Sequence, residues 1–107
     1  MPDFASIDMR VGTVLTAEPF PEARKPSIKL TIDFGPGLGV KRSSAQLTAH
    51  YGPRDLVGRQ IVAAVNLGTR RVAGFESEVL VLGACPDGTE VVLLALERPV
   101  ANGTRIA

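Results

Sequence analysis

The stretch SIKLTIDFGPGLGVKRS, residues 27–43, decides the reading of the fold. Ile28, Leu30, Ile32 and Phe34 alternate with Lys29, Thr31 and Asp33. Successive side chains of a strand point to opposite faces. The alternation therefore predicts a strand over 27–35 with an apolar face inward and a wet face outward. Gly35, Pro36 and Gly37 supply a turn, since glycine reaches positive φ and proline presets the bend. Residues 38–43 return as an antiparallel partner and bring Lys41 and Arg42 to the hairpin's exit. The same glycine-bearing loop superficially resembles a phosphate cradle. It lacks the spacing of either nucleotide fingerprint and joins strand to strand rather than strand to helix.

Upstream, residues 9–17 predict another strand, with Val11, Thr13 and Leu15 on one face and Arg10, Gly12, Val14 and Thr16 on the other. Gly12 inside it predicts a bulge or sharp bend, which a long strand needs in a small barrel. Residues 18–26, EPFPEARKP, hold three prolines and form a stiff, extended loop. At the start of the chain, residues 2–7 predict one helical turn capped by Asp3, with Phe4 and Ile7 on a shared face. So short a turn is stable only when packed on the barrel or on a partner subunit.

Downstream, residues 43–53 predict a short helix, with serine as its cap and Gly52-Pro53 as its stop. Residues 61–66, 79–83 and 91–96 predict three more strands, and Pro86-Asp87-Gly88 turns between the last two. Between the first two lies a polar, basic bend. Asn66, Arg70 and Arg71 precede a glycine hinge at Gly74 and the polar pair Ser77 and Glu78. The late strands are apolar at consecutive positions, whereas a strand with one wet face alternates. Continuous runs predict burial on both faces, the second covered by another protomer or by terminal segments of the same chain. A homodimer is the expectation.

The chain has 107 residues, so one domain over 1–107 is expected. A composition 45% hydrophobic and 21% charged is an ordinary soluble profile. Eleven glycines and eight prolines, with no long helical pattern, favour short strands and turns. A net charge of +1 excludes a polybasic nucleic-acid clamp, so any RNA contact would be a local patch. The single cysteine, Cys85, excludes an intrachain disulfide framework and fits a reducing compartment. No leader pattern opens the chain, and no apolar run nears the roughly 20 residues of a membrane span. A cytoplasmic protein is expected. His50 is the only histidine, so no metal site is predicted. No G-x-S-x-G elbow surrounds any serine, and no catalytic residue, enzyme activity or cofactor is expected.

These elements predict an all-β chain: a five-stranded Greek-key barrel of the oligonucleotide/oligosaccharide-binding (OB) type with short helices. Such barrels bind across their second and third strands. That face carries Lys29, Lys41, Ser43, Ser44 and Gln46, with the bend at 66–71 turned towards it. Arginine and lysine suit phosphate, while serine and asparagine supply neutral hydrogen bonds. Single-stranded nucleic-acid binding adds aromatic stacking platforms. With Phe34 alternating to the core, Phe20, Phe75 and Tyr51 are the candidates for exposed platforms. So few aromatics fit shape-based RNA binding or a pocket for unfolded polypeptide, with apolar walls for side chains and polar groups for peptide backbone.

Six collinear motifs run through nearly the whole chain: DMRVGTV at 8–14, AEPFPEARKP at 17–26, LTIDFG at 30–35, KRSSAQLT at 41–48, LVGRQIVAAVNL at 56–67 and RRVAGFESEVLVLG at 70–83. Together they resemble the tRNA-binding domain superfamily of dimeric barrels and, within it, the CsaA family of bacterial export-related chaperones. The resemblance implies an OB fold and a homodimer built from the chain termini and late strands. It also implies ATP-independent binding of unfolded preproteins or peptides, with the secretion machinery as a further partner. For that function Phe34 or Phe20 and Leu67 are expected as apolar walls, and Lys41, Ser43, Ser44, Asn66, Arg71, Ser77 and Glu78 as polar contacts. The broader relatives bind the outer corner of tRNA and carry an H-P-x-A-D-K-L type motif. Here Phe20 stands in the histidine position, Arg24 in the second acidic position and Pro26 in the leucine position. The S-E-G-M segment of those relatives reads Ser77-Glu78-Val79-Leu80. The N-F-P-P-R-R bend frequent in CsaA proteins reads Asn66-Leu67-Gly68-Thr69-Arg70-Arg71, with a different wall residue and a more flexible loop. The alternative is a tRNA-binding protein that places Lys25, Lys29, Lys41, Arg42, Arg70 and Arg71 on phosphates.

Overall fold

The computed structural model describes residues 6–88 and 90–107. Three strands open the fold as an antiparallel meander: β1 (Met9–Phe20), β2 (Ser27–Asp33) and β3 (Val40–Ala45). The alternation of β2 is realised: Ile28, Leu30 and Ile32 are buried, while Lys29, Thr31 and Asp33 are only half-buried. A single helical turn, α1 (Pro53–Leu56), drops Leu56 into the core and leads into β4 (Gln60–Ala64). Then come the hairpin of β5 (Arg70–Val72) and β6 (Phe75–Ser77), the short β7 (Leu80–Val81), and the pair β8 (Gly83–Ala84) and β9 (Val92–Leu93). No helix among the described residues is long and apolar enough to cross a membrane.

The main sheet has five strands in the order β3-β2-β1-β4-β7. It curls until β3 meets the residues leading into β7. The Glu78 backbone N–H donates to the Arg42 carbonyl at 2.8 Å, and the Arg42 N–H donates to Glu78 Oε1 at 3.0 Å. The Ser44 N–H donates to Ser77 Oγ at 3.0 Å, and Ser43 Oγ donates to the Val79 carbonyl at 2.9 Å. An open edge would leave a row of unpaired backbone groups; closure satisfies them. Here side chains complete what a strand ladder alone does not. Inside sit Val14, Ile28, Leu30, Ile32, Phe34, Leu47, Leu56, Ile61 and Val81. The result is the expected all-β barrel of the OB type.

Ser43 is buried and supplies one of those closing bonds. Ser43→Ala removes the shorter of two hydroxyl donors to the Val79 carbonyl, leaving Ser77 Oγ at 3.4 Å, and is expected to cost about 0.5–1.5 kcal/mol. A urea titration checks this as a lower midpoint at unchanged slope.

Several expectations are corrected. The register irregularity of β1 lies between Val14 and Thr16, not at Gly12. It changes the facing of the strand, so that Val14 and Ala17 both pack on the core. Gly12 serves close approach instead. A Cβ there would lie 2.6 Å from Ile32 Cγ2 and 2.8 Å from the Phe34 ring. The helix expected over 43–53 does not form. Residues 43–45 belong to β3, where pairing with β2 and closure of the barrel outweigh a serine's preference for a helix cap. A turn follows, with the Tyr51 N–H donating to the Leu47 carbonyl at 3.0 Å and Leu47 buried. Gly52-Pro53, expected as a helix stop, begins α1. Proline fits the first helical position because its missing N–H would have no partner there.

The continuous apolar runs also resolve differently. In β4, Ile61, Val62, Ala63 and Ala64 are all buried within one chain. The C-terminal segment lies along the first part of β1: Gly103 N–H donates to the Val11 carbonyl at 2.7 Å, and Ile106 N–H to the Met9 carbonyl at 2.9 Å. The two later runs alternate after all. Val79, Val81 and Leu93 point inward, whereas Leu80, Val92 and Leu94 are 51%, 41% and 45% exposed. The helical turn expected at 2–7, with its Asp3 cap and Phe4, falls largely on residues 1–5, outside the described residues.

Candidate functional site

The basic bend of the sequence is a hairpin, β5–β6, paired Arg70 to Ser77, Arg71 to Glu76 and Val72 to Phe75. Ala73 and Gly74 turn it with φ of 46° and 82°, both in the left-handed region that a two-residue hairpin turn requires. The hairpin stands against the barrel wall, and three concavities meet along the join. All three are lined by Ser44 of β3 and Arg70 of β5. One, of about 230 Å³, is walled by Leu67, Val72, Val79 and Leu80, with Ser77 also in its lining. A second, of about 370 Å³, is lined by Leu47, Leu80, Val81, Leu82, Cys85 and Val91. The third, of about 320 Å³, holds Arg24, Lys25, Ser27 and Gln46. The arrangement is a groove with two apolar arms and one basic arm.

Electrostatics separates the cations into two sets. Arg42 lies 3.6 Å from Glu76 and 3.8 Å from Glu78, and Arg71 lies 3.5 Å from Glu76. Arg42 also covers the Phe75 ring at 5.3 Å. Lys29 Nζ sits 4.6 Å from the centroid of Phe20 and 5.4 Å from that of Phe75, and the two rings meet edge-on at 5.5 Å. Cations over aromatic faces are held by the ring quadrupole. This stack fastens the hairpin to the barrel. Arg24, Lys25 and Arg70 are exposed, and none has an ion pair among the described residues.

Of the residues expected at a peptide site, Ser44, Leu67 and Ser77 come together in the smallest apolar concavity. Leu67 is 55% exposed. Phe34 is not a wall: it is 1% exposed, in the core. Phe20 is buried too, so it offers neither a wall nor a stacking platform. Tyr51 is part-buried, and its hydroxyl accepts from the Leu93 N–H at 3.0 Å. Ser43 and Glu78 close the barrel. Asn66 holds the start of the described chain: its Oδ1 accepts from the Asp8 N–H at 2.9 Å, and its Nδ2 donates to the Ser6 carbonyl at 2.7 Å. Lys41 lies on β3 opposite Ile32 and lines none of the three concavities, nor does Arg71. Of the cations expected on phosphates, Lys25 and Arg70 line the groove, whereas Lys29 and Arg42 lie in the stack.

Arg24, Val72 and Leu80 were not singled out as site residues by the sequence. For Leu80 a signal existed. Ser77, Val79 and Val81 take the inward positions at a period of two, which turns Leu80 outward.

Away from the groove, Arg10 Nε donates to Asp8 Oδ1 at 2.6 Å, and Arg10 Nη1 donates to the Gly103 carbonyl at 3.0 Å. The Arg10 hydrogen bond holds the Asp8 carboxyl below its ordinary value of 3.8, against a smaller opposing effect of burial. A depressed folded value contributes stability that is present above 3.8 and is lost as pH falls through the folded value. Asp8→Asn is therefore expected to flatten the acid limb of the stability curve below that pH, read by urea midpoints from pH 6 down to about pH 3. Among the described residues, no three of His, Cys, Asp and Glu come together to hold a metal ion. His50 Nε2 faces Glu90 Oε2 at 2.9 Å.

Residues 9–105 match the family model described as a putative tRNA binding domain. The chaperone CsaA of Bacillus anthracis str. Ames is 57% identical in its crystal structure, covering 98% of this chain and 94% of that one, with a TM-score of 0.93. The CsaA chaperone protein of Picrophilus torridus is 44% identical, covering 98% and 95%, with a TM-score of 0.89. A methionine–tRNA ligase of Rhodopirellula baltica is 39% identical over 104 residues, which are 97% of this chain and 15% of the ligase. The chain thus spans about 15% of the length of such curated relatives.

Proposed function

Because the chain belongs to the tRNA-binding domain family and, within it, to the CsaA group, we propose that it is an ATP-independent chaperone for unfolded or precursor polypeptides. It holds extended segments in the groove between the β5–β6 hairpin and the barrel wall. One observation carries this reading: two of the three concavities that meet at Ser44 and Arg70 are walled by leucine and valine. Such pockets take apolar side chains, while a few polar groups orient the main chain. Nothing in this function needs a catalytic residue or a cofactor.

The proposal includes a homodimer. Val92 and Leu94 expose apolar surface on the late part of the chain, which a second copy would cover. Val92→Glu with Leu94→Glu is expected to shift a micromolar sample from dimer to monomer in a sedimentation run. A sample that is already a monomer before substitution contradicts the dimer. The exposed thiol of Cys85 fits a reducing setting, the cytoplasm, from which precursors pass to the secretion machinery.

A tRNA-binding protein is the second reading, favoured by the family and by Lys25 and Arg70, which have no ion pair among the described residues. Against it, Phe20, Phe75 and Tyr51 are engaged within the fold, so none of these described rings is free as a stacking platform. Binding of a neutral, apolar unfolded peptide and of bulk tRNA across a salt series separates the two. Phosphate contacts make log K fall steeply with log salt, while apolar burial changes little. Peptide binding that persists through the series is expected. Tight, salt-steep tRNA binding with no peptide binding contradicts the proposal.

A further inference from the structure

We propose that the groove selects its polypeptide by two chemical features together: an apolar side chain beside a carboxylate. This rests on the chaperone reading and names the class of segment it takes. The apolar side chain enters the concavity walled by Leu67, Val79 and Leu80. The carboxylate lies over Arg24, Lys25 and Arg70 in the adjoining one. The two concavities share Ser44, Arg70 and Val72 as a common wall. An extended chain advances about 3.3 Å per residue, so one segment reaches both within a few residues.

The charge argument comes from the protein's own pairing. Several of its described carboxylates are engaged elsewhere: Asp8 with Arg10, Glu76 with Arg42 and Arg71, Glu78 with Arg42, Glu90 with His50, and Glu97 with Arg98. Asp33 and Asp55 accept backbone N–H groups of Gly35 and Gly52. No carboxylate lines either concavity. Three cations therefore gather at one end of an apolar groove without an ion pair to any described carboxylate, although the net charge is only +1. The ligand supplies the counter-charge. A nucleic acid also carries anions, but its backbone offers no aliphatic side chain to fill the Leu67–Leu80 concavity. The basic arm and the adjoining apolar arm are used together only by a polypeptide that carries both groups. A leader-like segment, apolar but basic, meets like charge and is disfavoured.

Three fluorescent extended peptides of equal length test this, identical except for a glutamate, glutamine or lysine next to the apolar residue. Binding is measured by anisotropy at low salt, on the full chain and on the Arg24→Gln/Lys25→Gln/Arg70→Gln variant. The acidic peptide is expected to bind about tenfold tighter than the basic one, as a few exposed ion pairs together allow. The variant is expected to bind all three alike, at the affinity the glutamine peptide has for the full chain. Equal affinity for acidic and basic peptides, or a preference that survives in the variant, overturns the inference while leaving the chaperone reading in place. A short RNA that binds the full chain but not the variant, with peptide affinities unaffected by the substitutions, also overturns it. Absence of binding by all three peptides overturns the chaperone reading itself.

Discussion

Phe34→Ala lowers the unfolding free energy by about 3–5 kcal/mol, the usual cost of emptying a buried aromatic site. The ring is 1% exposed and packs in the core with Ile32 and Leu30. It lies so near the β1 backbone that a Cβ at Gly12 would sit 2.8 Å from it. No side chain at position 12 can swing in to fill the space left behind, because glycine has none. Urea unfolding is expected to show a large drop in midpoint at unchanged slope. Protein that remains folded keeps its peptide affinity, since Phe34 lines none of the groove. The opposite result, normal stability with peptide binding lost, would restore Phe34 as a wall of the binding site.

That residue shows how much of the molecule is legible in its sequence. The strict alternation from Ile28 to Phe34 gives both the strand and its buried face, because one side of β2 is wet and the other is not. The barrel follows from strands of that kind joined by glycine and proline turns. The polar part of the site is harder. Ser43, Ser77 and Glu78 have the chemistry of ligand contacts, yet the same chemistry closes the barrel at Val79, Ser44 and Arg42. A hydroxyl or carboxylate does not announce its partner, and only the register of β3 against the chain leading into β7 decides it. Asn66 is a similar case, since its amide holds Asp8 and Ser6 instead of facing a ligand. Long-range closure also explains the missing helix at 43–53. Local capping signals favour a helix there, but residues 43–45 are taken by pairing with β2. The basic bend is legible as a segment, though only its pairing as a hairpin separates Arg70 from Arg71. Arg70 faces the groove, whereas Arg71 pairs with Glu76.

Leu80→Asp is expected to weaken peptide binding by about 10- to 100-fold while changing stability by less than about 1 kcal/mol. Leu80 is 51% exposed, so little of the fold's stability depends on it. It lines both apolar concavities, so a bound peptide covers it. Burying a leucine side chain contributes roughly 1.5–3 kcal/mol, which is about one to two decades of affinity. A carboxylate there also carries a desolvation cost. Leu94→Asp is the matched control: Leu94 is 45% exposed but lines none of these concavities. Its peptide affinity per chain is expected to stay near that of the parent. Equal losses for the two variants would mean that exposed apolar surface in general, not this groove, captures the peptide.

The most direct test of the groove is a titration of the isotopically labelled chain with an unfolded apolar–acidic peptide, followed by backbone amide shifts. The largest shifts are expected at Ser44, Leu67, Arg70, Ser77 and Leu80, which surround the join of hairpin and barrel. The open concavity of about 570 Å³ lined by Thr13, Arg59, Gln60 and residues 95–99 is expected to stay silent. Shifts concentrated there, with Ser44 and Leu80 unmoved, would contradict the account.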